Sequence, residues 1–501
     1  LLEREAGAGG TWRVNTYPGC ACDIPSQWYS WSQELNPNWS AAFSTQPEIQ
    51  KYWEGLFHKY KLDEITRFNS TFQRADWNAE TKTYKVIFSD TLDPKQVFEL
   101  DADILISAIG GFSTPLDKPP GMKGLDNFKG ERFHSARWDH SVELKGKTVG
   151  IIGNGCSAAQ FLPILAKDPS INIVNFSRTP SWFMPRFDSK ISAAKQWVYA
   201  HVPFTQVLVR AFLVALLDSR WIIWVLSNVR VRKFAEKNAV KYIKENAPKK
   251  YHDFLVPKYP FGCKRVIVDP GYLKALNNEN VELISDPIDT VTEKGIRTKN
   301  GTEHPLDVLI LGTGFDVSER GLGINVFDAD GKCLSEQWKE QKGPQAYLGT
   351  VVSGFPNFYV LLGPNVATGH TSAIAHIESQ IHYVVEMVKA MQKYNVQAFQ
   401  LRKSAEDEYN KWLHKKLDNT VWNGGCDSWY RLPNGKVVAV WPGTYSYFWW
   451  LTLKPNFSHY LQIGGRERVA DIMESDKWNT IFKVLSVIVL GAVVGVTFLR
   501  K

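Results

Sequence analysis

The stretch Gly150 to Ala158, GIIGNGCSA, reads as the end of a strand, a G-x-G-x-x-A turn and the start of a helix. That order is what a nucleotide-binding βαβ unit requires. Gly153 permits the tight bend, Gly155 lets backbone approach a pyrophosphate, and Ala158 allows the helix to pack closely. Asn154, Cys156 and Ser157 line the same turn, and the helix N-terminus offers amide donors to an anion. About twenty residues on, where the ribose-reading side chain belongs, a partner strand, Ile171–Phe176, ends in Ser177-Arg178-Thr179. An acid there would bond the ribose of NAD, whereas an arginine pairs with the 2′-phosphate of NADP. Arg178 and Thr179 therefore point to NADPH.

Such a turn must be held by a sheet. Asp103–Gly111 reads as a buried strand running into a glycine turn, Lys147–Gly153 as a second strand and Ile171–Phe176 as its partner. Asp307–Gly314 is a near copy of the Asp103 stretch, as a return crossing between two nucleotide domains would leave. The alternation of strand-like and helix-like stretches indicates an α/β architecture. Between residues 190 and 250 lies a largely helical insertion, whose apolar core from Val207 to Leu226 is interrupted by Arg210, Asp218 and Arg220. Those charges argue against a membrane span and for an amphipathic pair. The pair either packs on the nucleotide domain or forms a lid over an apolar substrate that also rests on a membrane surface.

At 501 residues the chain can hold two or three domains. With 44% hydrophobic and 22% charged residues its composition is that of a globular protein. The net charge of +8 is modest for this length and reads as not gathered into one basic block. That disfavours nucleic acid as a partner, and an anionic cofactor or an apposed membrane would account for the surplus. The six cysteines are scattered, without a disulfide framework, and read as reduced and structural. Cys20-Ala21-Cys22 is too closely spaced for a zinc knuckle and has no histidine cluster beside it, so no metal is expected. Trp441–Leu451, WPGTYSYFWWL, reads as strand and turn. The opening Leu1-Leu2-Glu3-Arg4 lacks the apolar region of a signal peptide. Near the other end, Val484–Leu499 is uncharged and flanked by Lys477, Lys483 and Arg500-Lys501. Extended back to Thr480, with Lys483 reaching the headgroups and Trp478 at the interface, the segment 480–499 is expected to span a membrane.

Just ahead of the glycine turn stands FKGERFHSARWD, Phe128 to Asp139, in which Phe128, Gly130, His134, Trp138 and Asp139 spell F-x-G-x-x-x-H-x-x-x-W-D. This string resembles the fingerprint of the flavin-dependent Baeyer–Villiger monooxygenases, the class B enzymes that use FAD and NADPH. Further segments match the same family in order and spacing over residues 1 to 465: Gly9-Gly10-Thr11-Trp12, Tyr17-Pro18-Gly19, Cys22-Asp23-Ile24, Tyr29, Gly312-Thr313-Gly314-Phe315-Asp316 and Gly363-Pro364-Asn365. The resemblance implies that Glu3 holds the adenosine ribose of FAD. It places Thr11, Trp12, Asp23 and Tyr29 along the flavin, with Ala21, Cys22 and Asp23 also facing the nicotinamide cofactor. In Tyr259-Pro260-Phe261-Gly262-Cys263-Lys264-Arg265 it implies that Arg265 lies over the flavin and stabilises an anionic oxygen nucleophile, with Asp23 as its ion-pair partner. A fixed cation suits that task because arginine cannot lose its proton. Lys264 and Trp429 match positions that contact NADP in relatives. His134 reads as a structural residue coupling the domains rather than as a proton carrier.

These readings give two Rossmann-like dinucleotide-binding domains with a helical insertion and a C-terminal transmembrane helix. Residues 1–115 would begin the FAD domain, 116–330 form the NADP domain with the insertion 190–250, 331–465 complete the FAD domain, and 480–499 cross the membrane. An FAD domain opens with strand, G-x-G-x-x-G and helix ahead of its ribose acid. With that acid at Glu3, the chain as it stands lacks them and is expected to bind FAD weakly. The implied reaction inserts one oxygen from O2 beside a ketone to give an ester or lactone. Phe254–Leu273 is similar to fungal enzymes that tailor polyketides, which implies an aromatic polyketide ketone as substrate. An N- or S-oxygenating flavin monooxygenase and a catalytically impaired, membrane-anchored relative stand as alternatives. The catalytic body is expected on the cytosolic side of the membrane.

Overall fold

Apolar runs as continuous as Thr148–Ile152 and Val308–Leu311 have a stable place only where both faces are covered, in the middle of a parallel sheet. The computed structural model describes residues 1–316, 324–426, 428–465 and 468–471. Its largest sheet contains Glu131–His134 (β5), Thr148–Ile152 (β6), Asn172–Phe176 (β7), Val281–Ile284 (β8) and Val308–Leu311 (β9). All its pairings are parallel, in the order β8-β7-β6-β9-β5. Val149, Ile151, Val308, Leu309 and Ile310 are wholly buried at its centre. Between β6 and β7 the chain forms the helix Cys156–Leu165 (α1), whose N-terminus follows the glycine turn.

A second group of strands comes from both sides of this sheet in sequence. Ser70–Asn78 (β1), Thr83–Asp90 (β2) and Val97–Ala102 (β3) form an antiparallel meander, to which Val326–Phe327 (β10) adds in parallel against β1. Leu105–Ser107 (β4) pairs in parallel with Phe358–Val360 (β11). The chain thus leaves one body near residue 115 and returns after β9. The two crossings run side by side: Leu116 N–H donates to Gly314 O at 2.9 Å, Asp316 N–H to Thr114 O at 2.9 Å and Thr313 Oγ1 to Leu116 O at 2.7 Å.

The insertion is helical, as Ala193–His201 (α2), Thr205–Ser219 (α3) and Val229–Asn246 (α4). It is tied to the C-terminal part of the chain through Ala373–Tyr394 (α5) and Tyr445–Thr452 (α6). The Asp218 carboxylate accepts from Tyr445 N–H at 2.8 Å, Ser446 N–H at 3.0 Å and the Ser446 hydroxyl at 2.6 Å. This corrects the strand-and-turn reading of Trp441–Leu451. The aromatic run has strand propensity, but Thr444 caps Tyr447 N–H from inside the segment and Asp218 supplies negative charge at the helix N-terminus. Propensity yields to those caps.

A second correction concerns the cysteines. Cys263 and Cys426 form a disulfide, while Cys20, Cys22, Cys156 and Cys333 are free. The bond joins the loop ahead of Arg265 to a segment 163 residues away, a proximity that no spacing in the sequence reveals. The expected membrane span at 480–499 lies outside the described residues. Among the described residues no single helix is long and apolar enough to cross a membrane, although Ala193–His201 and Thr205–Ile223, bent by 106°, pass that test as a pair.

Where the insertion meets the C-terminal part, Trp221 and Trp224 lie 5.6 and 5.5 Å from the His370 ring, and His376 packs 5.4 Å from Tyr445 and 4.9 Å from Phe448. Burial pulls the pKa of His370 down to about 3 and that of His376 down to about 4. The unfolded chain protonates both rings first, so their contribution to stability is complete above about pH 6.5 and is lost as the pH falls toward the folded values. In the variant His376→Phe, which keeps a ring between Tyr445 and Phe448, denaturant titrations should show the pH slope of unfolding free energy reduced by about 1.4 kcal/mol per unit between pH 6 and 5. An unchanged slope would contradict a neutral buried His376. The disulfide has its own check. Unfolded without reductant, the protein should expose four reactive thiols, rising to six after reduction. Six from the outset would show that the bond does not form.

Candidate functional site

At the carboxyl ends of β6 and β7 the glycine turn is built for close approach. Gly153 has φ +109°, and a Cβ there would stand 2.4 Å from the Gly312 carbonyl oxygen. Asn154 donates to Thr179 O at 3.1 Å, which ties the turn to the end of β7. Asn175 braces it from below, donating to Gly153 O at 2.8 Å and Ile151 O at 3.1 Å. Gly155 precedes α1 without any side-chain cap, and Cys156 and Ser157 open its first turn, so those amides face outward to an anion. Ala158 is wholly buried beneath them. Arg178 is exposed at the end of β7, and Lys264 Nζ donates to Thr179 Oγ1 at 3.2 Å. Two cations flanking one hydroxyl at the end of the second strand fit the 2′-phosphate of NADP.

The N-terminal segment reaches this turn directly. Gln160, on α1, accepts from the Tyr17 hydroxyl at 2.9 Å and from Ala21 N–H at 3.3 Å, and donates to Ala21 O at 2.8 Å. Gly19 is pressed so closely that a Cβ there would lie 2.9 Å from Gln160 O. Ala21, Cys22 and Asp23 are therefore stitched onto the nucleotide helix. Trp12, buried in the short helix Thr11–Val14, donates through Nε1 to the Tyr29 hydroxyl at 3.2 Å. Burial raises the pKa of Tyr29, so its hydroxyl stays protonated. Gly9 and Gly10 have φ of +128° and +51° ahead of them, and open space lies where a Gly10 side chain would stand. An aromatic floor, a neutral hydroxyl and a glycine approach fit the ring end of a flavin. Glu3, expected on the ribose, accepts from Glu5 N–H at 2.8 Å, and Glu5 pairs with Arg137 of the twelve-residue string at 2.9 Å.

Arg265 is the centre of the arrangement. Its Nη2 lies 2.5 Å from Asp23 Oδ2, and its Nη1 donates to Gly369 O at 3.1 Å. Burial alone would pull its pKa down, but the Asp23 carboxylate more than offsets this and holds it above the ordinary value. Its backbone is fixed by Trp224, which the insertion wedges between two glycines. A Cβ on Gly262 would stand 2.8 Å from Trp224 Nε1, and one on Gly369 3.3 Å from it. The disulfide from Cys263 to Cys426 closes the other side.

From Arg265 an aromatic chain leads back to the link between the bodies. Tyr430, electrostatically coupled to Arg265, packs 4.6 Å from Trp429; Trp429 lies 5.5 Å from Phe112, Phe112 5.3 Å from Phe315, and Phe315 6.0 Å from His134. Trp429, matched in sequence to an NADP contact, packs between Tyr430 and Phe112 of the link. His134 is buried, with Nδ1 accepting from Ala136 N–H at 3.0 Å, and burial lowers its pKa. Gly130 is required by contact, since a Cβ would fall 2.3 Å from Asp307 O and 2.7 Å from the Phe128 ring. Trp138 packs 5.1 Å from Phe133 and 5.2 Å from Phe161 of α1, and Asp139 closes a turn by accepting from Ser141. The string is a hinge-side brace for the nucleotide turn.

Sequence reasoning missed Gln160, Asn175, Trp224 and Gly369. Gln160 left a readable signal, being a polar residue among Ala158, Ala159, Phe161 and Leu162 on a buried helix. Trp224 and Gly369 left none, because their role exists only once the insertion has folded back.

Comparison with known proteins agrees with this geometry. The family described as flavin-binding monooxygenase-like matches residues 41–318. A Baeyer–Villiger monooxygenase of Pseudomonas aeruginosa is 39% identical over 450 residues, covering 88% of this chain and 82% of its own. One from Streptomyces coelicolor is 35% identical, covering 94% and 90%. The FAD-binding monooxygenase ktnD of Aspergillus niger is 36% identical, covering 89% and 74%. Among solved structures, that of OTEMO in complex with FAD and NADP superimposes with a TM-score of 0.79 at 26% identity, over 90% of this chain and 91% of the other. Oxidised steroid monooxygenase bound to NADP gives 0.78 at 26%, over 93% and 94%. With its NADP turn, its flavin-facing segment and the Arg265–Asp23 pair between them, the chain belongs to the flavin-binding monooxygenases, as a Baeyer–Villiger enzyme using FAD and NADPH.

Proposed function

We propose that this chain oxygenates an apolar, aromatic polyketide ketone to an ester or lactone, with Arg265 and Asp23 as the residues that direct the chemistry. The observation carrying the proposal is the 2.5 Å Arg265–Asp23 pair, wedged by Trp224 beside the nucleotide turn. Bound FAD, reduced by NADPH, supplies the oxygen-activating chemistry. The chain's own residues do the rest. Arg265 presents a guanidinium that stays protonated, aimed by Asp23 and Gly369, where negative charge develops on the substrate's carbonyl oxygen. Such fixed charge needs no reorganisation as the reaction proceeds. A permanent cation favours an anionic, nucleophilic oxygen over the protonated, electrophilic one that amine or sulfide oxygenation requires. The aromatic character of the substrate is supported by the similarity of Phe254–Leu273 to fungal polyketide-tailoring enzymes. The proposal includes a tail anchor at 480–499 with the catalytic body on the cytosolic side, supported by the uncharged run Val484–Leu499 between basic flanks.

Arg265→Ala should retain reduction by NADPH but lose ester formation by roughly a hundredfold to a thousandfold, the scale of removing one oxyanion donor. Product analysis with a ketone, alongside NADPH consumption, separates the two. Unchanged ester yield would remove Arg265 from the mechanism, and efficient oxygenation of an amine in place of the ketone would favour the N-oxygenating alternative. Arg178→Ala should raise KM for NADPH roughly tenfold to a hundredfold, from loss of a charge-assisted contact, while leaving KM for NADH nearly unchanged. Equal effects on both cofactors would place the 2′-phosphate elsewhere.

A further inference from the structure

Helix α3 is inside out. Its inward face carries the charge: Arg210 is buried, donating through Nη1 to Gln27 O at 2.8 Å, Ser30 O at 3.0 Å and Ser30 Oγ at 3.1 Å, and lying 4.8 Å over the Trp28 ring. Its outward stripe, including the Phe204 cap, is Phe204, Val207, Leu208, Ala211, Phe212, Ala215 and Leu216, all exposed and all apolar. The five large side chains are between 38% and 77% exposed. A surface helix in water shows the opposite pattern, and contiguous apolar patches of this kind mark interaction surfaces.

Aromatic and basic groups surround the stripe. Trp197 on α2 is 59% exposed, and α6, joined to α3 through Asp218, exposes Trp449 and Trp450. Indole rings of this sort favour the boundary between water and hydrocarbon. The basic balance of the molecule lies here, contrary to the even spread read from the sequence. Residues 190–250 hold twelve Lys and Arg against three Asp and Glu, a net +9, whereas the whole chain carries +8. Lys195, Arg230, Lys233, Lys237 and Lys244 are exposed, with Phe234 among them. Charge of that sign beside an apolar stripe selects the occupant: a polar protein surface would leave the stripe unmatched, and an apolar one the cations. An anionic lipid surface matches both.

We infer that the insertion is a membrane-docking device, in which the outward stripe of α3 enters the headgroup region of an anionic bilayer and the lysines and arginines of α2 and α4 lie on its surface. This docking is separate from the proposed tail anchor, and its test silences the tail. The 501-residue chain carrying Val487→Asp and Val493→Asp should still sediment with phosphatidylcholine vesicles containing about one third phosphatidylserine. Adding Leu208→Glu and Phe212→Glu should weaken that partitioning by roughly tenfold or more, the loss of two buried side chains. Adding Lys233→Glu and Lys237→Glu instead should weaken binding to anionic vesicles by about tenfold or more and leave binding to neutral ones nearly unchanged. All four positions are exposed, so thermal midpoint and NADPH oxidation should stay as in the parent. A milder pair, Leu208→Ser and Phe212→Ser, reads the same loss if the glutamates impair folding. Failure of the tail-silenced chain to bind vesicles, or unchanged binding by the α3 variants, would overturn the inference. So would conversion of a lipid-free dimer to monomer by the α3 substitutions, which would make the occupant a second copy of the chain. Loss of binding on silencing the tail of an otherwise unaltered chain would leave the anchor standing and the α3 surface refuted.

Discussion

A guanidinium held against one carboxylate, with both side chains about three-quarters withdrawn from water, is the constraint on which the rest of the molecule turns. Removing a charge from water is costly, and an ion pair recovers that cost only when geometry is good and the remaining donors are satisfied. Arg265 is held by two such contacts, to Asp23 and to Gly369, from elements far apart in sequence. Asp23 comes from the N-terminal segment, Gly369 from the C-terminal half, Trp224 from the insertion, and Cys426 from beyond all of them. Each of these elements has to be in place before the pair is sound. The pair in turn gives the protein a cation that stays charged and does not wander.

The same logic explains why the string Phe128–Asp139 stands so far from the chemistry. It sits near the two crossings, antiparallel to each other at Pro115 and Phe315, by which the chain enters and leaves the region of the nucleotide sheet. Gly130 lets the start of β5 approach Asp307 ahead of β9, Trp138 packs on α1, and His134 begins an aromatic chain ending at Tyr430 beside Arg265. Gln160 performs a matching task on the other side, holding Ala21 and Tyr17 to the nucleotide helix. Neither contact touches a reacting atom. Both hold the relative position of two bodies that must present two cofactors to one arginine.

Much of this was legible in the chain because it rests on local rules. The glycine turn, the parallel strands around it, the arginine at the end of β7 and the helical insertion follow from spacing and periodicity. Asp23, Arg265 and the string at Phe128 were legible only through resemblance, since a lone arginine after a loop carries no local signal. The failures share one cause. Trp441–Leu451 became a helix because Asp218 caps it from the insertion, and Cys263 found Cys426 because the fold brings distant loops together. Trp224 and Gly369 likewise acquire their roles only in three dimensions. Long-range partners are invisible to periodicity, and the site is made largely of long-range partners.

The claim that Arg265 and Asp23 act as one unit can be measured directly. Ketone oxygenation, as kcat/KM, would be compared among the parent, Arg265→Ala, Asp23→Ala and the double variant. Groups that work as a unit give losses far short of additive. The account predicts that the double variant loses little more than Arg265→Ala alone, because Asp23 acts through the arginine it aims. Losses that simply add would show two independent contributions and contradict it.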